Sequence, residues 1–246
     1  MFFSIITVSL NAESLIADTL NSAISQTFKD FEIVVKDGGS RDKTLEMIPS
    51  DERIRVIQKN DKGIYEGMNQ AIAEAKGKYL IFMNCGDLFY DNTVLEKAYE
   101  ILKDGEERIL YGDFCFSDDM IIRSSSTNLK KSHFYYSTIC HQASFIPKSA
   151  FEKIGYYDES LKISSDWEFF LDAFIGGIKY QYYNEPVCIF LSGGVSWTDE
   201  GVKIAKKEKK AIKKTRFSLF ERIYIPMAST RLGQWALSVK RKITKK

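Results

Sequence analysis

Three features of this 246-residue chain predict an α/β fold with a mostly parallel central sheet flanked by helices. Short apolar runs alternate with helix-period segments over roughly the first hundred residues, as strand–helix–strand crossovers require. The runs break into loops rich in Gly, Asp and Asn, and none approaches the ~20 apolar residues of a membrane span.

The elements follow in order. Phe3 to Ser9 reads as a strand, and Glu13 to Gln26 as a helix with Leu15, Leu20, Ala23 and Ile24 inward. Phe31 to Lys36 is a strand, Lys43 to Ile48 a short helix and Ile54 to Ile57 a third strand. Tyr65 to Ala75 is a helix with Met68, Ala71, Ile72 and Ala75 on one face, and Tyr79 to Met83 is a buried strand. After a helix at Val94 to Leu102 the pattern changes. Ile109 to Phe116 and Met120 to Ser124 suit antiparallel strands around Ser117-Asp118-Asp119. Ala150 to Ile154 and Asp166 to Ile175 read as helices, and Lys179 to Tyr183 and Val187 to Leu191 as separate strands.

A hydrophobic fraction of 44% and a charged fraction of 28% are those of a soluble globular protein, and 17 Phe with 13 Tyr favour a large core. Cys85, Cys115, Cys140 and Cys188 form no CxxC pair, which suits reduced thiols in the cytoplasm and argues against a zinc site. The N-terminal MFFSIITVSL lacks the positive leader and cleavage site of a signal peptide. Charge is unevenly placed. From Lys203 onward there are 15 Lys/Arg against two acids, Glu208 and Glu221, whereas residues 1–202 hold 20 bases against 31 acids. A boundary after Gly193-Gly194-Val195-Ser196 therefore divides a domain over residues 1–200 from a basic helical tail over 201–246.

Several strand ends carry candidate chemistry. Asp37-Gly-Gly-Ser-Arg-Asp-Lys-Thr44 puts a carboxylate, two glycines and Ser40, a helix N-cap, after the second strand. Such an Asp can accept from a nucleobase N–H or ribose hydroxyls; the alternative is an ordinary strand–turn–helix junction. Asn60-Asp-Lys-Gly63 is a polar loop, and Asn69 inside the next helix needs a partner, as a structural tie or as a site residue. Asn84-Cys-Gly-Asp87 ends the buried strand at Tyr79 to Met83 with a carboxylate beside a glycine, which suits a cation shared with phosphate oxygens or, alternatively, a turn with a solvated Asp.

Taken together, Thr7-Val-Ser-Leu-Asn11, Asp37 to Thr44, Asp61 to Asn69, Asn84 to Asp87 and Ser165-Asp166-Trp-Glu-Phe-Phe170 follow one another in an order that resembles the family 2 glycosyltransferases of GT-A fold, especially those building bacterial O-antigen, capsule or exopolysaccharide. The resemblance covers about residues 1–196. It implies that Thr7 and Asp37 bind the nucleotide's base and ribose, and that Asp61 and Asn69 line the donor pocket. Asn84, Gly86 and Asp87 match the family's DxD-type segment, with Asp87 holding Mn2+ or Mg2+ against the donor diphosphate. Asn84 stands where the family has a leading acid, and Gly86 replaces another, so the metal would rest on Asp87, diphosphate and water.

Asp166 matches the family's catalytic base, with Ser165 in place of a customary Glu; its alternative role is a charge at a helix N-terminus. Trp167, Phe170, Leu171 and Phe174 read as that helix's core face. The resemblance assigns acceptor or donor-sugar contacts to the stretch containing His141 and Gln142, while a structural His is equally compatible. Ser196, with Gly193 and Gly194, suits a loop closing over diphosphate.

The implied activity is inverting transfer of a sugar, from a UDP-sugar, to a saccharide or polyprenyl-linked saccharide. In the tail, Lys pairs from Lys203 to Lys214 interleave with Ile204, Ala205, Ala211 and Ile212, and Leu232, Trp235, Val239 and Ile243 recur at helical spacing. A basic amphipathic helix suits an anionic membrane surface, placing the protein on the inner face of the cytoplasmic membrane; packing on the domain with Lys in solvent is the alternative. Nucleic acid fits less well, because no interleaved aromatic platform accompanies the charge. Two rival activities are a nucleotide-sugar-binding subunit without catalysis and a nucleotidyltransferase. The second lacks a Gly-rich basic loop after the first strand, where Asn11-Ala-Glu-Ser14 stands.

Overall fold

The computed structural model describes residues 1–229. Strands β1 (Phe3–Ser9), β2 (Phe31–Asp37), β3 (Ile54–Gln58) and β4 (Tyr79–Phe82) run parallel in the order β3-β2-β1-β4. Their apolar runs are continuous because both sheet faces are covered: every residue of β2 and β4 is buried. Alternation along the strands divides the core in two. Ile6, Val34, Leu80 and Phe82 face one cluster, together with Met68, Ala71 and Ile72 of α2 (Ile64–Glu74). Phe3, Ile5, Ile33, Val35, Tyr79 and Ile81 face the other. That second cluster is closed by α1 (Ile16–Ile24) through Ile16, Leu20 and Ala23, and by α3 (Val94–Leu102). Each fully buried aliphatic side chain contributes about 1.5–3 kcal/mol.

The remaining strands turn the sheet into a mixed one. A two-residue strand β5 (Leu88–Phe89) follows β4, then come β6 (Ile109–Phe116) and β7 (Ile122–Arg123), paired antiparallel around the predicted turn. Next are α4 (Lys131–Tyr136), a 3₁₀ turn at His141–Ala143, β8 (Ser144–Pro147) and α5 (Lys148–Ile154). Strand β8 inserts antiparallel between β4 and β6, carrying the sheet on to β9 (Tyr180–Phe190), which is parallel to β6, and then to β5. Helix α6 (Ser165–Ile175) precedes β9, and α7 (Asp199–Arg216) and α8 (Leu219–Ser229) end the described chain.

Two expectations are corrected. Lys43 to Ile48 is a single turn, in which the Met47 N–H is shared by the carbonyls of Lys43 and Thr44. Asp42 ties down the Thr44 N–H and hydroxyl, and Pro49 disfavours helical backbone at Ile48. The two strands expected at Lys179 to Tyr183 and Val187 to Leu191 are one continuous strand, Tyr180–Phe190. Pro186 is accommodated because the β6–β9 register shifts on both sides of its partner Asp113, the first shift taking in Gly112. A Cβ on Gly112 would lie 2.7 Å from the Glu185 carbonyl oxygen, so glycine permits the approach. Strands β5 and β8 and helix α4 had no expectation attached to them.

Helix α7 lies against α6. Arg216 binds Asp172 at 2.6 Å and Glu168 at 3.0 Å, and Ile212 and Phe217 enter the core. Among the described residues no helix is long and apolar enough to cross a membrane. The expected helix carrying Leu232, Trp235, Val239 and Ile243 lies outside them.

Candidate functional site

Two groups of side chains gather beyond the C-terminal ends of the parallel strands. The first surrounds the ends of β1 and β2. Asp37 is buried, and its carboxylate accepts from the hydroxyls of Ser9 and Ser40 and from the N–H groups of Gly39 and Ser40 at 2.5–3.2 Å. Burial pushes the Asp37 carboxyl up, but the bonds from Ser40, Gly39 and Ser9 outweigh it and hold the group below the usual carboxylate range. With those four donors its acceptor positions are filled, so Asp37 shapes the 37–40 loop directly.

Behind it, the fully buried Lys36 ammonium meets Asp61 at 2.6 Å and the Asp37 carbonyl at 3.1 Å. A Cβ at Gly38 would come within 2.8 Å of the Asp61 carboxylate, so the first glycine of the loop lets it pass. Thr7 is buried, and its hydroxyl has no hydrogen-bond partner among the described residues. Asn69 is a tie between α2 and the loop before α6: its amide donates to the Tyr157 carbonyl and to Glu159, and its oxygen accepts the Tyr157 N–H.

The second group lines a cavity of about 810 Å³. It brings together Asn84, Asp87, His141, Gln142, Asp166 and Ser196 from segments far apart in sequence. Thr7, Asp37, Asp61, Asn69 and Gly86 do not line it. Gly86 shapes the approach instead. Its φ is +99°, its N–H donates to the Thr19 hydroxyl, and a Cβ there would lie 2.3 Å from Leu191.

Asp87 is 3% exposed and is held from two sides, by the Gln142 amide at 3.1 Å and the Leu191 N–H at 2.9 Å. Burial nevertheless outweighs these bonds and pushes the carboxyl up to about 6. The Asn84 side-chain oxygen is buried without a partner among the described residues. Among those residues no group of three or more His, Cys, Asp or Glu could hold a metal ion. A carboxylate short of counter-charge and an amide oxygen short of a partner do fit a hard cation that takes its other ligands from a bound phosphate and water. Cys85, between them, is no nucleophile, because burial pushes its thiol up to about 12.

Asp166 stands in the first turn of α6, and its Oδ1 accepts the Tyr65 hydroxyl at 3.0 Å. Burial and the Asp166 charge keep the Tyr65 phenol protonated, well above its ordinary range. His141 stacks on Phe82, and its Nε2 lies 2.7 Å from the Tyr157 hydroxyl. Burial lowers its pKa to about 4, so it is a neutral imidazole at pH 7. Trp167 is buried as expected, its indole N–H donating to the Phe134 and Ser137 carbonyls at 3.1 and 3.0 Å, yet one edge reaches the cavity.

Contributions from the basic helix were not foreseen. Lys206 and Lys209 of α7 line the cavity, with the Lys209 ammonium 5.5 Å from the Trp167 ring centre. Glu208 accepts the N–H groups of Lys162, Ile163 and Ser164 at 2.7–3.2 Å and so fixes the loop that enters α6. Two of the unforeseen roles carried a signal: Lys36 is a lysine inside the buried run Phe31-Glu-Ile-Val-Val-Lys36, and Glu208 is an isolated acid in a run of lysines.

Residues 4–153 match the model of the family described as Glycosyl transferase family 2. The chain is 32% identical over 178 residues to a PGL/p-HBAD biosynthesis glycosyltransferase of Mycobacterium bovis, covering 70% of this chain and 69% of that protein. It is 28% identical over 200 residues to an uncharacterized glycosyltransferase of Rickettsia prowazekii, covering 76% and 62% respectively. Among solved structures, S. aureus TarS 1–349 in complex with UDP-GlcNAc superposes with a TM-score of 0.69 at 18% identity, covering 97% of this chain and 76% of that one. The mannosyltransferase PcManGT from Pyrobaculum calidifontis, in complex with GDP-Man and Mn2+, gives 0.63 at 14%, covering 99% and 80%. At such identities the structural likeness is one of fold.

Proposed function

The chain belongs to glycosyl transferase family 2 and is a glycosyltransferase, and from that premise we propose that it transfers a sugar with inversion from a UDP-sugar to a saccharide or polyprenyl-linked saccharide in surface-polysaccharide assembly of the O-antigen kind. The observation that carries the reading is the single cavity shared by Asp87 and Asp166, one buried carboxylate suited to a cation and one carboxylate suited to a proton. Support for UDP comes from the fold likeness to TarS bound to UDP-GlcNAc.

In this reading Asp166 accepts the proton of an acceptor hydroxyl as its oxygen bonds to the anomeric carbon and the bond to the nucleoside diphosphate breaks. One displacement inverts the centre. Tyr65 holds the Asp166 carboxylate in place for this step. A positioned base of this kind is worth on the order of 10²–10⁴ in rate. Asp87 and Asn84 would hold Mn2+ or Mg2+, which when bound offsets charge on the departing diphosphate. His141, Gln142 and Ser196 contact sugar or diphosphate from the cavity wall. Thr7, Asp37 and Asp61 form the nucleotide's side of the site, Asp37 by shaping its loop and Thr7 through its unpartnered hydroxyl.

Residues 1–200 are read as the GT-A domain and 201–246 as a basic extension whose first helix packs on that domain. Its exposed apolar residues Leu219, Phe220 and Ile223, beside the α7 lysines, suit peripheral binding to anionic lipid on the inner face of the cytoplasmic membrane. The decisive experiment is Asp166→Asn, assayed for UDP binding and sugar transfer. Binding kept with transfer lost is expected; full transfer would remove Asp166 as base.

A further inference from the structure

A second cavity, of about 420 Å³, opens beside the first. Its walls carry Lys206, Lys209, Lys210, Lys213 and Lys214 of α7 and Arg222 of α8, with the Tyr135 ring between them. Lys206 and Lys209 line both cavities, so the two share a wall. Among the described residues no carboxylate lines the second cavity, and none of its six cations forms an ion pair. The acids nearby are already engaged: Glu208 by three backbone N–H groups, Glu221 by Lys131, and Glu168 and Asp172 by Arg216.

Such a cluster is costly without a ligand. Lys206, Lys210 and Lys214 follow one another at i,i+4 along α7, as do Lys209 and Lys213, and like charges at that spacing destabilise a helix. Lys213 lies 4.4 Å from the Tyr135 ring centre, and burial together with Lys209 disfavours its charge. The Arg222 Nε is buried with no hydrogen-bond partner among the described residues. Point-charge lysines around a planar guanidinium fork suit a phosphoryl group. Lys209 also sits over Trp167, the chain neighbour of Asp166, so the wall that the two cavities share adjoins the Asp166 end of the first one.

We propose that the basic cavity is an acceptor subsite, taking the phosphoryl group through which the acceptor sugar is carried, so that the preferred acceptors are glycosyl phosphates or diphosphates. This rests on the adjoining cavity being the transfer site. The test uses the full chain and the variant Lys210→Gln/Lys214→Gln, whose two positions lie outside the first cavity. Binding of inorganic pyrophosphate is measured by calorimetry with UDP saturating and metal chelated. Transfer is then measured to a soluble glycosyl diphosphate and to the same sugar without phosphate.

Pyrophosphate binding that weakens about tenfold or more in the variant is expected. So is a KM for the diphosphate acceptor that rises by a similar factor while that for the neutral sugar does not move. Equal binding of pyrophosphate by both proteins, or equal loss with both acceptors, overturns the subsite. Binding of phosphatidylglycerol vesicles without binding of pyrophosphate also overturns it, in favour of a membrane patch. If neither protein transfers sugar to any acceptor but pyrophosphate binding still depends on the two lysines, the transferase reading fails and the anion site stands.

Discussion

Gln142 donates its side-chain amide to Asp87 across 3.1 Å, and it does so from the 3₁₀ turn immediately before β8. That bond and the Leu191 N–H hold a carboxylate that burial has already pushed up to about 6. Gln142→Ala removes one of two supports, so Asp87 becomes harder to ionise and poorer in its proposed role as metal ligand. Loss of such an outer partner typically costs about 10–100-fold in metal affinity. Titrating Mn2+ into the UDP-bound protein, followed by melting temperature, should show that loss. An unchanged titration would mean the Leu191 bond suffices.

Tyr65→Phe takes the hydroxyl from Asp166 without changing the ring's packing in the core. The expected effect is on kcat, a fall of about tenfold, the worth of about 1–1.5 kcal/mol for one hydrogen bond. KM for the donor should stay within about twofold, because Tyr65 bonds Asp166, the proposed base, and makes no bond to the residues proposed for the nucleotide. A fall confined to KM would assign Tyr65 to binding instead.

Lys36 and Asp61 form a buried pair whose loss on one side strands the other charge. Lys36→Met should lower stability by about 3–5 kcal/mol. Lys36→Met/Asp61→Asn should recover most of it, since neither charge then lacks its partner. Urea denaturation of both variants checks this, and additive losses would show that the pair is not coupled.

Glu208 anchors the loop ahead of Asp166 through three backbone N–H groups. Glu208→Ala leaves these without a carboxylate and should cost about 1–3 kcal/mol. A chain ending at residue 200 loses Glu208, Arg216 and Ile212 together, and its transfer activity should fall further than that of Glu208→Ala. A truncated chain with full activity would show that residues 1–200 are self-sufficient.

His141 gives a pH signature with a definite sign. Burial lowers its folded pKa to about 4, while the unfolded imidazole titrates near 6.5. The unfolded chain therefore binds more protons below about 6.5, and stability falls as pH drops from there through about 4. At pH 5 the loss from this group is on the order of 2 kcal/mol. His141→Gln keeps a partner for Tyr157, and the difference in stability between pH 7 and pH 5 should shrink by about that amount. An identical pH profile in the variant would exclude His141 as its source.

The sequence was most legible where one physical rule dominated. Phe3 to Ser9, Val94 to Leu102 and Ile109 to Phe116 coincide with β1, α3 and β6 because burial on two faces, or a clean helical stripe, leaves no other reading. Ser144–Pro147 carries no such signal. It is four residues long and ends in proline, and its identity as β8 comes from the two strands that pair with it. In the site, Asn84, Asp87 and Asp166 stood out as polar groups at element ends. Lys206 and Lys209 did not, because a lysine run on an amphipathic helix looks the same whether it meets solvent, lipid or a cavity. Which of these holds depends on Trp167 and α6, distant in the chain.

The bond from the Leu191 N–H to Asp87 joins positions 104 residues apart, and the Gln142 bond spans 55. Closing contacts of such separation costs more chain entropy than the local β1-α1-β2 pairing does. The cavity shared by Asp87 and Asp166 therefore depends on segments far apart in the chain being in place together, so local opening at Gln142 or Leu191 loosens Asp87 even while the parallel strands stay paired.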